Sequence, residues 1–168
     1  MKHLLITLII AATLPVAAFA GVSKVSWQEP DKFTDVRPGN ENRDAFQKRL
    51  MSDFDAIFTD LAKKLPDDYQ LEVNITDLDL AGDVNAGHSM ASRDIRIVKD
   101  IFSPSMRFSY RLTNSKNELV SSGQEHLRDM GFMSKTRPIV SNSSFPYEER
   151  MLRDWFDKQQ KKKIFPNR

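Results

Sequence analysis

The chain has 168 residues, of which 40% are hydrophobic and 29% are charged, so it is long enough to bury one self-sufficient core. Its 25 basic and 23 acidic residues nearly balance, which argues against nucleic acid as a partner, because binding to phosphates needs a clear excess of positive charge. The absence of cysteine excludes disulfides, thiol nucleophiles and cysteine-ligated zinc.

The N-terminal segment has the layout of a cleaved secretory signal. A short basic start precedes an apolar run from Leu4 to Val16, and Ala18 and Ala20 are the small residues that a signal peptidase reads. We therefore expect residues 1–20 to be removed and the mature chain to begin at Gly21. The expected location is the bacterial periplasm, with full secretion as the alternative. No later run approaches the roughly 20 apolar residues of a membrane helix, so no transmembrane segment is expected in the mature chain.

The first half of the mature chain predicts a strand, a loop and a helix. Apolar and polar residues alternate from Val22 to Trp27, which predicts a strand, and a loop rich in Pro, Gly and Asn follows. Apolar residues then recur at three- and four-residue spacing, which predicts a helix over about residues 43–65 with Asn42 as N-cap and Pro66 beyond its end. Its predicted core face consists of Phe46, Leu50, Phe54, Ile57, Phe58, Leu61 and Leu65.

The next part of the chain predicts strands that pair in sequence order. From Leu71 to Ile75 apolar and polar residues alternate, and the apolar phase changes by one residue at Asp77. Residues 106–113 alternate in the same way, and a turn over 114–117 leads to a partner strand over about 118–127. We therefore predict a β-hairpin in this part of the chain.

A second helix, over about residues 145–160, is predicted to close the chain. Ser144 is its expected N-cap, Pro146 lies in its first turn, and the acidic pair that follows suits the positive end of the helix dipole. Its predicted apolar face consists of Tyr147, Met151, Leu152, Trp155 and Phe156. Together the elements predict a single α+β domain over residues 21–168, with an antiparallel or mixed sheet and the two main helices packed on one face.

Four blocks of sequence stand out beyond their hydrophobic pattern. They are VSWQEPDKFTD (25–35), DLDLAG (77–82), SGQEHLRDM (122–130) and YEERMLRDWF (147–156). In this order they resemble the family of exported bacterial proteins known as Domain of Unknown Function 3016, over nearly all of the mature chain. The resemblance implies export and a single domain. The family has no established activity, so the resemblance implies no catalytic residue and no cofactor.

The densest cluster of oxygen ligands follows the strand after the first helix. Asp77, Asp79 and Asp83 stand close together around Gly82, and hard cations such as calcium take several oxygen ligands on a tight turn. These three aspartates are the candidate metal ligands. The spacing does not fit an EF-hand loop, because the twelfth position, where a bidentate Glu belongs, falls on His88. The alternative is that the aspartates only cap and turn the chain.

The loop from Gly131 to Ser144 is the candidate contact surface for a partner. It is about 14 residues long, above the usual length of a connection, and such loops are commonly functional or disordered. The candidate contact residues are Phe132, Met133, Lys135, Arg137, Ile139 and Val140. The alternative is that the apolar residues among them fold back onto the sheet.

A stripe of basic residues is the second candidate surface. Arg107 and Arg111 share one face of a predicted strand, and Lys24 and Lys99 are the other basic residues considered with them. The stripe is a candidate contact for an anionic lipid or glycan surface. The alternative is the ordinary solvated face of an antiparallel sheet.

No motif of the chain identifies an activity. We predict a non-enzymatic binding or interaction module of the bacterial envelope, whose partner is an envelope protein or an envelope polymer, with no cofactor. The alternative is a small hydrolase of envelope material, metal-assisted or working by general acid/base catalysis. Its carboxylates would come from Asp77, Asp79, Glu125 or Asp129. The sequence leaves the oligomeric state open.

Overall fold

A β-α-β crossover opens the fold. The structure, a computed structural model, describes residues 20–84, 95–134 and 143–168. Strand β1 (Val22–Trp27) and strand β2 (Gln70–Asp79) pair in parallel, and helix α1 (Arg43–Ala62) lies between them in the chain. Neighbouring parallel strands need such a long connection because a tight turn joins only antiparallel strands.

Two antiparallel strands complete the sheet. Strand β3 (Ser105–Thr113) pairs with β2, and strand β4 (Leu119–Arg128) pairs with β3, so the strand order is β1-β2-β3-β4. The side-chain oxygen of Asn114 closes the hairpin turn by accepting two backbone N–H groups, at 2.9 and 3.0 Å. The predicted hairpin is confirmed, and the sheet is mixed.

A β-bulge in β2 explains the change of apolar phase in the sequence. The register of β2 against β3 shifts between Ile75 and Asp77. A bulge inserts one residue into a strand, so the side chains beyond it exchange faces. Leu78 is fully buried as a result, whereas Asp77 and Asp79 point to the other side of the sheet.

Both main helices lie on one face of the sheet, as predicted. The ring of Phe108, in β3, lies 6.1 Å from that of Phe58 in α1 and 5.0 Å from that of Trp155 in helix α2 (Pro146–Lys161). A strand residue that contacts both helices places them on the same side. The buried residues of α1 are Phe46, Leu50, Phe54, Ile57, Phe58, Leu61 and Ala62.

The helix ends differ in detail from the prediction. Asn42 caps α1, as expected, and its side-chain oxygen accepts two N–H groups of the first turn, at 3.0 and 3.1 Å. The helix ends at Ala62, before residue 65, because the N–H groups of residues 64 and 65 bond three residues back. The predicted cap of α2, Ser144, is wrong, since Phe145 occupies the N-cap and its side chain makes no capping bond.

The chain therefore forms a single α+β domain around one core. Near the C-terminus, Phe165 completes this core, with its ring 5.3 Å from that of Tyr110 and 5.5 Å from that of Trp155. Within the described ranges, no helix combines the length and the apolar character needed to cross a bilayer.

Candidate functional site

The sheet has one face that no described helix covers. Residues alternate between the two faces along a strand, so those opposite the core-facing positions form this second face. It carries polar side chains from all four strands, and we call it the open face. Its residues are Lys24, Ser26, Glu72, Asn74, Asp77, Asp79, Ser105, Arg107, Ser109, Arg111, Ser122, Gln124, His126 and Arg128.

Strand pairing arranges part of the open face in two rows across the sheet. The first row is Lys24, Glu72, Arg111 and Ser122, and the second row is Ser26, Asn74, Ser109 and Gln124. In the first row, Nη1 of Arg111 lies 3.6 Å from Oε2 of Glu72, and both side chains are about half exposed. The second row holds short or neutral side chains between more strongly charged neighbours.

A depression of about 360 Å³ lies over these two rows. Its polar lining consists of Lys24, Ser26, Glu72, Asn74, Ser109 and Arg111. The volume is within the range of ligand sites, about 300–1,000 Å³, but those sites are mostly enclosed by apolar residues, whereas this one is open and its lining residues are mostly polar or charged. The depression therefore suits a hydrophilic ligand.

Charge is distributed unevenly on the open face. The acidic side chains Glu72, Asp77 and Asp79 all belong to β2. The half formed by β3 and β4 carries Arg107, Arg111 and Arg128 with His126, and it holds no acidic side chain. We call these four residues the cationic patch.

A second cluster, of buried charges, lies beyond the end of β2. Asp35 is 7% exposed, and its carboxylate accepts hydrogen bonds from Arg96, at 2.9 and 3.2 Å, and from Nε of Arg37, at 3.1 Å. Although burial raises the pKa of Asp35, the bonds from Arg96 and Arg37 hold that pKa below its ordinary value. Arg96 also donates to the carbonyls of Gly82 and Arg37, both at 3.0 Å, so it joins three segments of the chain.

Two of the three candidate metal ligands, Asp77 and Asp83, have separate protein partners. Asp77 accepts the N–H and the hydroxyl of Thr34, at 2.8 and 2.9 Å, and Asp83 accepts Nη2 of Arg37 at 2.7 Å. Among the described residues, no group of three or more His, Asp or Glu side chains is arranged to hold a metal ion. Asp77 accepts backbone N–H groups, as a residue that turns the chain does, whereas Asp83 forms an ion pair with Arg37.

Two carboxyl groups near this network have raised pKa values. Burial raises the pKa of Asp79, and the negative charge of Asp35 raises it further. Burial also raises the pKa of Glu148, which is 2% exposed and accepts the N–H of Ala81 at 2.6 Å. A raised pKa is a property of many catalytic acids, but the Glu148 carboxyl is shielded from any substrate in this structure. It fixes the first turn of α2 to the segment that follows β2.

Sequence reasoning missed the buried network. The partners Asp35 and Arg96 are 61 residues apart, and Ala81 and Glu148 are 67 apart, so no local pattern joins them. Glu148 was expected only as an acidic residue in a first helical turn. The loop signals around Gly82 mark where the network forms, but they do not identify its members.

The candidate contact loop is described only in part. Phe132 is 1% exposed, and its ring lies 5.0 Å from that of Tyr147. Phe132 is therefore an interior residue rather than an exposed contact, because its ring fills the space beside the first turn of α2. Met133 is 52% exposed. The remaining candidates, Lys135, Arg137, Ile139 and Val140, lie outside the described residues.

Comparison with known proteins identifies a family but no activity. A family model described as "Protein of unknown function (DUF3016)" matches residues 21–158. This match confirms the resemblance seen in the four sequence blocks, and it covers the whole sheet and most of α2. No curated protein and no solved structure matches the chain.

Proposed function

Since the chain belongs to the DUF3016 family, whose description names no activity, we propose from its geometry that it is an exported, non-enzymatic binding module of the bacterial envelope. Its ligand is an anionic glycan, held on the open face. The observation that carries this proposal is the cationic patch, in which exposed arginines face solvent without an acidic neighbour on the open face of their own two strands.

Arg107 is the group of the patch that is most available to an anion. Its side chain is exposed, and its guanidinium has no hydrogen-bond or ion-pair partner within the described parts of the chain. Arg111 lies four residues further along the same strand and faces the same way, at a distance of about 13 Å from the rise of about 3.3 Å per residue. One phosphate or carboxylate does not span this distance, so the pair fits a polymer with repeated charges.

The second row of the open face supplies groups that suit sugar hydroxyls. Ser109 and Gln124 are uncharged side chains that both donate and accept hydrogen bonds. Ser109 lies between Arg107 and Arg111 along β3 and lines the depression, and Gln124 is its partner on β4. The two central rows of the open face contain no apolar side chain, and the exposed Val22 lies beyond them, at the start of β1. The open face therefore suits a hydrated polymer better than a bilayer, into which a binding surface inserts apolar groups.

The envelope location rests on the sequence of residues 1–20. Their layout is that of a secretory signal, and anionic glycans are constituents that an exported bacterial protein meets in the envelope. Intact mass of material from the periplasm tests this part of the proposal. A mass that corresponds to a start at Gly21 supports it, and a full-length mass in that fraction contradicts it.

The hydrolase alternative has weaker support in the geometry. General acid/base cleavage needs two carboxyls that both touch the substrate. Of the two carboxyls with raised pKa values near the end of β2, only Asp79 lies on the open face, since Glu148 is buried. Asp77, the nearest second carboxylate on that face, is already bound by the N–H and the hydroxyl of Thr34. Turnover of an envelope polymer by the purified chain would favour this alternative.

A binding measurement with a polyuronate tests the proposed ligand class. We expect the mature chain to bind alginate, a polymer of carboxylated sugars, and to ignore dextran, which is neutral. The double variant Arg107→Gln/Arg111→Gln should weaken binding to alginate about tenfold, as expected for the loss of two exposed ionic contacts. The affinity of the parent should also fall as salt is added, since exposed charges are screened.

A matched variant separates the patch from the overall charge. Lys48→Gln/Lys63→Gln removes the same charge from an exposed position of α1 and from its exposed C-cap, on the other side of the sheet. An equal loss of alginate affinity in the two double variants would show that only the net charge of the chain matters, and would overturn the proposal. Vesicles of phosphatidylglycerol form the third arm, because stronger binding to them than to alginate would identify a lipid surface instead.

A further inference from the structure

The outer edge of β4 is exposed along its whole length. The strand has 10 residues, and each of them is exposed or half-buried. It is the last strand in the sheet order, so within the described ranges no strand pairs with its outer side. A sheet edge of this length presents a row of backbone groups that can pair with another strand.

The backbone groups of alternate residues point outward at this edge. The N–H of Asp129 donates to the carbonyl of Pro104, at 3.1 Å, so the odd-numbered residues of β4 are the ones that bond to β3. In an antiparallel pair the N–H and C=O groups of successive residues point to opposite sides. The N–H and C=O groups of Ser122, Gln124 and His126 therefore face away from the sheet.

The two edges of the sheet differ in their protection. At the other edge, β1 has only 6 residues and carries Lys24 at its centre. Short length and lysine are common devices against the pairing of edges between molecules. From Leu119 to Arg128 the sequence contains neither lysine nor proline. The β4 edge thus lacks lysine and proline, and its protective features are the charged residues Glu125 and Arg128 and a bulge at Val120.

We propose that a second copy of this chain pairs with the β4 edge, antiparallel and about a two-fold axis at Gln124. In this register Gln124 is opposite its own copy, and Ser122 is opposite the second copy's His126. Arg128 is opposite the second copy's Val120. No two like charges face each other, and residues with outward backbone groups meet in hydrogen-bonded pairs.

Exposed apolar side chains at both ends of β4 support this register. Leu119 is 57% exposed and Val120 is 40% exposed at the start of the strand, and Met130, just past its end, is 79% exposed. Antiparallel pairing brings the start of one copy beside the end of the other. Leu119 and Val120 would thus lie near the second copy's Met130, and the contact would occur twice in the dimer.

The mass of the mature chain in solution tests the proposal directly. We expect light scattering to give twice the mass of one chain at micromolar concentration. Gln124→Pro should give the mass of one chain with an unchanged circular dichroism spectrum, because the N–H that it removes faces outward and proline is tolerated at such edge positions. Gln124→Thr, which keeps the N–H, should remain a dimer. A parent of single mass at all concentrations, or a Gln124→Pro variant that stays dimeric, would overturn the proposal.

Disulfide formation tests the register without a change in folding. The chain has no cysteine, so any disulfide must involve the introduced residue. Gln124→Cys should oxidise to a covalent dimer, because paired residues of this type have Cα atoms about 5.5 Å apart, within the range of disulfides. Ser122→Cys should not, since its own copy would be about 13 Å away along the strand. Equal cross-linking of the two variants would overturn the register.

Discussion

At the level of single residues, Glu148 and Asp35 make opposite contributions to the pH dependence of stability. Burial raises the pKa of Glu148, so the folded state binds the carboxyl proton more tightly than the unfolded state does. The free energy of unfolding therefore falls as pH rises from the ordinary pKa of a glutamate toward the raised value. The pKa of Asp35 is lowered in spite of its burial. Its contribution to stability is present above its ordinary pKa and is lost as pH falls through the lowered value.

Glu148→Gln should therefore be at least as stable as the parent at about pH 8, where the buried carboxylate is most costly. The amide oxygen still accepts the N–H of Ala81, and the side chain no longer carries a charge. The difference between variant and parent should shrink as pH falls toward the ordinary pKa of a glutamate. Urea unfolding at several pH values measures it.

Glu148→Ala is the control for this prediction. It leaves the buried N–H of Ala81 without its partner, which costs about 1–3 kcal/mol. A Gln variant that loses as much stability as the Ala variant would show that the buried charge is not the cause.

Arg96→Ala should lower the free energy of unfolding by about 3 kcal/mol, because it leaves a buried carboxylate without its main partner. Asp35 is 7% exposed, and Arg96 supplies two of its hydrogen bonds. Arg37→Ala should cost less, since the Arg37 side chain is 47% exposed. Chemical denaturation measures the free energy of unfolding of both variants. Equal losses of this free energy would contradict the conclusion that Arg96 is the main partner of Asp35.

Calcium at millimolar concentration should leave the melting temperature of the chain unchanged. A ligand that binds only the folded state must stabilise it above its dissociation constant, and Asp77 and Asp83 already have protein partners. Thermal unfolding with and without calcium measures the effect. A rise that disappears in Asp77→Asn/Asp79→Asn would establish a metal site instead.

At the level of elements, Trp155 couples α2 to the sheet. Its ring lies 5.0 Å from that of Phe108 and 5.6 Å from that of Tyr110, and its side chain is almost fully buried. Trp155→Ala should therefore cost about 3–5 kcal/mol, the usual range for a large buried aromatic. Arg111→Ala, on the open face, should change stability by less than about 0.5 kcal/mol. A melting temperature of Trp155→Ala equal to that of the parent would contradict this packing.

The helices and strands were predictable because the spacing of apolar residues within each element depends only on neighbouring sequence. The spacing of apolar residues from Phe46 to Leu61 placed α1 and its buried face, and alternation placed β1 with the observed bounds. The change of phase at Asp77 was visible in the sequence, but its cause, a bulge, depends on pairing with β3. Helix ends were less predictable, since capping at Phe145 depends on tertiary contacts rather than on a preferred cap residue.

The candidate site was less predictable than the elements that carry it. Alternation placed Arg107 and Arg111 on one face, which the structure leaves open. The depression could not be foreseen, because it requires the register of three strands. For Phe132 the sequence left two alternatives, an exposed contact or a side chain folded back onto the domain, and it is buried because the first turn of α2 leaves room for its ring.

At the level of the whole molecule, the sheet combines two kinds of connection. The strands β2, β3 and β4 form an antiparallel meander, whereas β1 reaches β2 only through α1. Strand β1 is a short edge strand with one partner, whereas β2 and β3 each pair on both sides, so local opening of β1 costs less free energy. We therefore expect amide hydrogens of β1 to exchange with solvent sooner than those of β2 and β3. Native-state hydrogen exchange measures this order, and equal protection of all strands would contradict it.

The parallel pairing of β1 with β2 also sets when β1 can join the sheet during export. Translocation of the proposed exported chain delivers β1 first, long before its partner strand β2 has crossed the membrane. Until then the N-terminal strand has no neighbour to pair with, and its apolar residues remain accessible. The segment that crosses first thus waits for its only partner strand, so we expect it to be the part of the newly exported chain that chaperones and proteases encounter.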